Sequence, residues 1–423
     1  MTNKMPLKDI RVLDLSRIWA GPYATKLLSD LGAEVIKLES LRVYDSHRGP
    51  VNPNPGIVSY PNTEPGEKPW NRNGWFNCLH MNKYGITLEL TTKQGQDTFE
   101  QLLSVSDVLV ENFRQGSLER LGYPYEKIKS IRPDIIYASM PAFGNTGPWK
   151  KYLAYGIGQE QLSGMAHMTG YDKEGPIKSG INHGDPITGS HAAGIILAAL
   201  RYRKYTGEGM YLDVSQQESA VSLIGGELLK YQIGKEEPIR IGNKSQIHSP
   251  HNVYPSEGED EWITIAVTND NQWKNLLSLI NLTELNEFDS YNANQRKLNE
   301  EQIDKIISSW TIHFDKYDLT HILQAKEIPS APVMGAPDLF SDPHYKSRKT
   351  FETITHKEAG THVYPGIPWK MSLTQSEIKS ASPLLGEHHK EIYQELLGFS
   401  EGQLSDLLDS GTIGYKPTGS RIF

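Results

Sequence analysis

The chain has 423 residues, 37% hydrophobic and 22% charged, with a formal net charge of −8. That length and composition fit a folded protein of two or three domains and exclude a disordered one. The acidic balance, with no long basic run, argues against nucleic acid as the main partner, and the single cysteine, Cys78, excludes an intrachain disulfide and a four-cysteine zinc site.

No window approaches the ~20 apolar residues of a membrane span. Met1 to Asp9 carries two lysines but no apolar core, so no secretory signal is expected. A reducing, cytoplasmic location is the expectation.

The first third alternates strand and helix. Ile10 to Leu15 reads as a short apolar strand, Ser16 to Gly21 as a loop, and Pro22 as the first position of a helix running to Leu31. Glu34 to Glu39 is a second strand, which completes a βαβ unit. Ile86 to Leu90, Asp107 to Glu111 and Ile135 to Ser139 continue as strands, with an amphipathic helix over Thr92 to Val105. Pro186 to Tyr205 is helical, Tyr211 to Val214 a strand, and Gln216 to Tyr231 a helix. Gly234 to Ser256 is polar and reads as a linker. A smaller region follows from the strand Glu261 to Val267 to about Met334, with helices near Asn271–Leu279 and Glu300–Trp310. The tail, Pro383 to Thr412, reads as helical again.

The first βαβ loop is not a dinucleotide fingerprint. Backbone approach to a pyrophosphate needs three spaced glycines. Ser16-Arg17-Ile18-Trp19-Ala20-Gly21-Pro22 has one, behind a bulky Trp19. Glu39 stands where a ribose-binding acid would, but in isolation it reads as a solvated strand end. Trp19 lies where α/β sheets bind ligands, and packing against the next helix explains it equally well.

Asn182-His183-Gly184-Asp185-Pro186-Ile187-Thr188-Gly189 opens the long helix. Asp followed by Pro reads as an N-cap with proline at N1. A carboxylate so placed also faces backbone N–H groups, and it needs no helper base to act as a nucleophile. Amides near Gly184 and Gly189 would serve an oxyanion. No HExxH, GxSxG, Walker A or EF-hand pattern occurs. His388-His389 is an adjacent pair whose rings diverge on a helix, and Cys78 is isolated and expected to be inert or buried.

Seven segments taken in order carry a resemblance. They are 11–39, 82–90, 106–123, 184–215, IPSAPV (328–333), DPHYKSR (342–348) and PLLGEHH (383–389). Together they resemble the class III CoA-transferase family of CaiB/BaiF type, which includes formyl-CoA and carnitine-CoA transferases. The resemblance implies a large doubly wound, Rossmann-like α/β domain from residues 1–225 and 335–423. A smaller α/β domain with its linkers would occupy 226–334, and the whole would form an interlocked homodimer. It implies Asp185 as nucleophile toward an acyl-CoA, with a small carboxylic acid as acceptor, coenzyme A as substrate and no permanently bound cofactor or metal. CoA contacts implied by matching positions are Trp19, Ala20, Leu88, Asn112, Phe113, Arg114, Arg120 and Tyr155.

There are departures from the family pattern. Ser40 replaces a frequent arginine, with Arg42 nearby. Leu153 stands for a lysine, with Lys150 and Lys151 adjacent, and Gly156 stands for an acid. The glycine-run loop of the oxalate-handling members is absent. Three other readings remain open: an α-methylacyl-CoA racemase-like proton transfer, an intramolecular CoA transfer that would make the enzyme an isomerase, and an accessory acyl-CoA-binding role. The racemase histidine would fall near Tyr155, where none stands; His183 or His167 would have to substitute.

Overall fold

In the computed structural model, residues 5–54, 56, 59–281, 283–374 and 376–419 are described. The first four residues of the Met1 to Asp9 stretch therefore lie outside them.

The apolar runs of the first half form a six-stranded sheet in the order β3-β2-β1-β4-β5-β6. The strands are β1 (Arg11–Asp14), β2 (Glu34–Glu39), β3 (Lys83–Thr87), β4 (Val108–Glu111), β5 (Ile136–Ser139) and β6 (Met210–Asp213). Every pairing is parallel. Consecutive residues of a strand face opposite sides, so each strand feeds two cores. Val12, Val35, Val108 and Ile136 pack with the helix Ala20–Asp30 and the long helix Gly184–Thr206. Leu13, Ile36, Ile86 and Leu109 pack on the other face with Phe99, Leu102 and Leu103. The strand order reverses between β1 and β4, and a crevice is expected beyond the carboxyl ends of those two strands.

The two helices on the first face approach closely because their contact is built from Ala20, Ala24, Gly189, Ala192 and Ala193. A Cβ at Gly189 would stand 2.7 Å from the Ala20 carbonyl oxygen and 3.0 Å from the Tyr23 ring. This glycine sets the distance between the two helix N-termini.

The chain divides into two units. One takes the chain up to Ala166, Lys178–Lys235 and everything from Ser347 on. It holds the six-stranded sheet and the antiparallel hairpin β10 (Phe351–His356) and β11 (Gly360–Pro365). The other takes His167–Ile177 and Glu236–Lys346. Its antiparallel sheet, β7 (His251–Pro255), β8 (Trp262–Ala266) and β9 (Ser330–Pro332), packs helices 270–280, 300–311 and 316–324 around Trp273, Ile303 and Leu319.

Several boundaries differ from the sequence reading. The first helix starts at Ala20, so Pro22 is its third residue; the close packing against the long helix draws Ala20 and Gly21 into the turn. The expected linker 234–256 contains strand β7, whose half-buried pattern is short and broken by polar residues. The expected helix 216–231 is two helices, Gln216–Val221 and Gly225–Gly234, separated at a tighter turn before Gly225 and Gly226. The tail is helical only over Lys390–Leu396, as a wide π-turn, and Glu401–Asp409.

Candidate active site

The loop after β1 is held at almost every backbone position by a side chain. The Ser16 N–H donates to Asp14 (2.9 Å), and the Ser16 carbonyl accepts from the buried Lys37 ammonium. Asn112, just past β4, accepts the Arg17 N–H through Oδ1 and donates Nδ2–H to the Arg17 carbonyl, both at 2.7 Å. The Ile18 N–H donates to the Asp45 carboxylate at 3.1 and 3.2 Å. Ile18 has φ +70°, a left-handed conformation that a β-branched residue adopts only under constraint. Two strand ends that meet at the sheet's switch point are thus tied together before any ligand is considered.

The loop delivers the Ala20 N–H to the carboxylate of Asp185. Asp185 lies in the first turn of the long helix, where His183 takes the cap position. The sequence reading of Asp185 as N-cap is therefore corrected: its carboxylate turns to the neighbouring helix, a partner that only tertiary packing supplies. Asp185 is 8% exposed. Burial pushes its pKa up to about 6, the Ala20 N–H draws it back, and the nearby Glu160 charge adds to the rise. Gly156 faces it so closely that a Cβ there would run into the carboxylate. This is a steric reason for glycine at that position.

Asp185 opens into a cavity of about 440 Å³ at the carboxyl ends of the strands. Arg17, Arg114 and Lys150 bring positive charge to it, Ile18, Phe113 and Tyr155 supply apolar and aromatic walls, and Asp185 is the one carboxylate among the described residues that line it. A second cavity of about 250 Å³ shares Arg17 and Phe113 with the first. Leu15, Leu38, Leu88 and Leu90 line it, with Arg42 and Ser40 at its side. The Arg17 guanidinium stacks 4.8 Å from the Phe113 ring centroid, between the two. Phe113 is aimed by Glu111, whose carboxylate accepts the Phe113 N–H at 2.6 Å; burial pushes that carboxyl up to about 7.

Of the residues singled out in the sequence, Asn112, Phe113, Arg114, Tyr155 and Asp185 line the first cavity, and Leu88 and Phe113 the second. Ala20 contributes through its backbone. Trp19 lines neither; its ring meets Trp75 edge-on at 5.6 Å. Arg120 lines neither, and its guanidinium bonds the hydroxyl of Ser117 (2.8 Å), which does line the second. Glu39 is not a solvated strand end. It is 2% exposed and bound at 2.7 Å by the buried Arg48, which crosses from a loop that the strand pattern alone does not place. His388 and His389 accept the N–H groups of Gly85 and Thr87. Burial raises the pKa of the Cys78 thiol. The ring Nδ1 of His183 stands 3.6 Å from Glu160.

Sequence reasoning missed Arg17, Asp45, Glu160 and Gln216. Gln216 lines the first cavity, donates to the Met140 carbonyl (2.7 Å) and accepts from Gln159 (2.6 Å). Arg17 was legible in principle, as a cation one residue beyond the strand-end serine in the loop already singled out.

The profile of CoA-transferase family III matches residues 7–389. This chain belongs to that family. It is 30% identical to the succinate–glutarate CoA-transferase of Agrobacterium fabrum, over 93% of this chain and 96% of the relative. It is 32% identical to a formyl-CoA:oxalate CoA-transferase of Streptomyces coelicolor, over 96% and 99%. A CAIB/BAIF family protein from Brucella suis superposes with a TM-score of 0.83 at 29% identity, covering 93% of this chain and 99% of that one. Family membership makes the chain a CoA-transferase, an enzyme whose substrates are CoA thioesters. Among the described residues no helix is long and apolar enough to cross a membrane.

Proposed function

We propose that this CoA-transferase moves CoA from an acyl-CoA to a small carboxylic acid through covalent intermediates on Asp185. The observation that carries the reading is a buried carboxylate, raised to about 6, that faces a cavity with Arg17, Arg114 and Lys150 and is the one carboxylate among the described residues lining it. Such a carboxylate is mostly ionised at pH 7 yet poorly solvated, so it is a better nucleophile than an exposed aspartate.

In the proposed sequence an Asp185 oxygen attacks the thioester carbonyl, the C–S bond breaks, and CoA leaves as thiolate with a mixed anhydride behind it. The thiolate attacks the aspartyl carbonyl carbon and expels the donor acid, giving an aspartyl-CoA thioester. The acceptor carboxylate attacks that thioester and releases thiolate again, forming a second anhydride. The thiolate then attacks the acceptor's acyl carbon and frees Asp185. No proton has to be taken from the nucleophile at any step. The second cavity suits the adenine, with Leu88 and Phe113 as walls and Arg42 toward the phosphates. Arg17 and Phe113 would sit where the pantetheine arm crosses to the first cavity. The relatives' names include succinate, glutarate, oxalate and mesaconate, so small dicarboxylic acids are the first acceptors to try. Assembly as a homodimer belongs to the same reading, and light scattering tests it.

The deciding experiment is peptide mass mapping after a rapid quench with succinyl-CoA and other CoA thioesters. An acyl or CoA adduct on the Asp185 peptide, absent from Asp185→Ala, is expected. Full transfer activity in Asp185→Ala would sink the covalent mechanism.

A further inference from the structure

Asp45 touches neither cavity, yet it holds the strained point of the loop that reaches Asp185. It is fully buried, and its carboxylate accepts the N–H groups of Ile18 and His47 (3.0 Å). Lys37 of β2 stands 3.6 Å from it and His80 3.8 Å, both fully buried. The Lys37 ammonium also holds the Ser16 carbonyl, so one cation–carboxylate pair grips the loop at both Ser16 and Ile18. Two residues beyond Ile18 comes the Ala20 N–H that Asp185 accepts. A β-branched residue at φ +70° is held there against its own preference and relaxes when its restraint goes.

We propose that Asp45 is a positioning residue of this enzyme: by accepting the Ile18 N–H it fixes the loop 16–19 and so aims the Ala20 N–H at Asp185. The proposal rests on Asp185 being the functional carboxylate, as argued above. Asp45 lies behind the cavity wall and acts through the backbone N–H of Ile18.

The sign of the effect on Asp185 separates this role from a plain charge effect. Removing a negative charge lowers the pKa of a neighbouring carboxyl. Losing the Ala20 N–H raises it. The groups facing Asp185 are Glu160 from the helix 156–162 and, around the cavity, Arg17, Arg114, Lys150 and Tyr155. Those facing Asp45 are Lys37, His80, His47 and Arg17. An Asp45 substitution replaces none of these side chains, but it removes the carboxylate that raises the pKa of Arg17 and of His47.

The test is a carboxyl ¹³C NMR titration of the full-length enzyme labelled at aspartate, with the Asp185 signal assigned by its loss in Asp185→Asn. In Asp45→Ala the Asp185 midpoint is expected to rise by about one pH unit, and kcat at pH 6 to fall about fivefold with a smaller change in KM. Asp45→Asn retains an oxygen for the Ile18 N–H and is expected to leave the midpoint level or lower it. Asp45→Ser serves as a second truncation should the alanine variant not fold. An unmoved or lowered midpoint in a folded truncation overturns the proposal, and so does an equal rise in Asp45→Asn. A raised midpoint in an enzyme that forms no Asp185 adduct would sustain the positioning role and sink only the covalent mechanism.

Discussion

Replacing Asp185 by Asn should stabilise the protein while removing its activity. In the folded state the Asp185 carboxyl is pushed from 3.8 up to about 6, chiefly by burial. One pKa unit corresponds to about 1.4 kcal/mol, so the ionised carboxylate destabilises the folded state by up to roughly 3 kcal/mol at neutral pH. The sign follows from proton counting. Between pH 3.8 and about 6 the folded chain keeps a proton that the unfolded chain has lost, so wild-type stability falls as pH rises through that window. Above about 6 the full penalty is present, and below 3.8 it is gone. Asparagine is neutral throughout and its Oδ1 still accepts the Ala20 N–H, but its amide hydrogens need partners. A gain of about 1–3 kcal/mol at pH 7.5 is therefore expected. Thermal unfolding of both proteins, followed from pH 4 to 8, checks it: the variant should melt higher at pH 7.5, with the difference shrinking toward pH 4. A variant less stable than wild type at pH 7.5, or a gain independent of pH, would refute the reasoning that burial of a charged nucleophile dominates this site.

Three other outcomes are expected. The acid limb of kcat/KM should have a midpoint near 6, since Asp185 must lose its proton to attack; a limb near 4 in a pH–rate profile would contradict a raised carboxyl. Gly156→Ala places a methyl group against the Asp185 carboxylate and should lower kcat by about 10²-fold, with CoA binding by calorimetry retained. Arg48→Met leaves Glu39 charged and buried without its partner, a cost of about 3–5 kcal/mol, while Arg48→Met with Glu39→Leu should recover most of that stability in denaturant unfolding.

The sequence by itself determined the layered architecture. The run Ile135–Ser139 is buried on both faces, and a strand so buried reads as a largely apolar run, while Glu34–Glu39 keeps Lys37 and Glu39 buried only because Asp45 and Arg48 pair with them. It also singled out Asp185, Asn112, Phe113 and Arg114, because the family segments keep them at fixed places. What the sequence could not show was which polar groups meet. Glu39 and Arg48 are nine residues apart across a loop, Asp45 and Ile18 twenty-seven, and Ala20 and Asp185 belong to different helices. Local propensity assigns each of these to a cap, a turn or solvent, since those are the partners available within a few residues. Only the closing of β1, β2 and β4 side by side, with Gly189 letting two helix ends approach, brings the Ala20 N–H to the carboxylate and removes it from water. Burial is a property of the assembled sheet and helices, and it is burial that turns an ordinary aspartate into one raised to about 6.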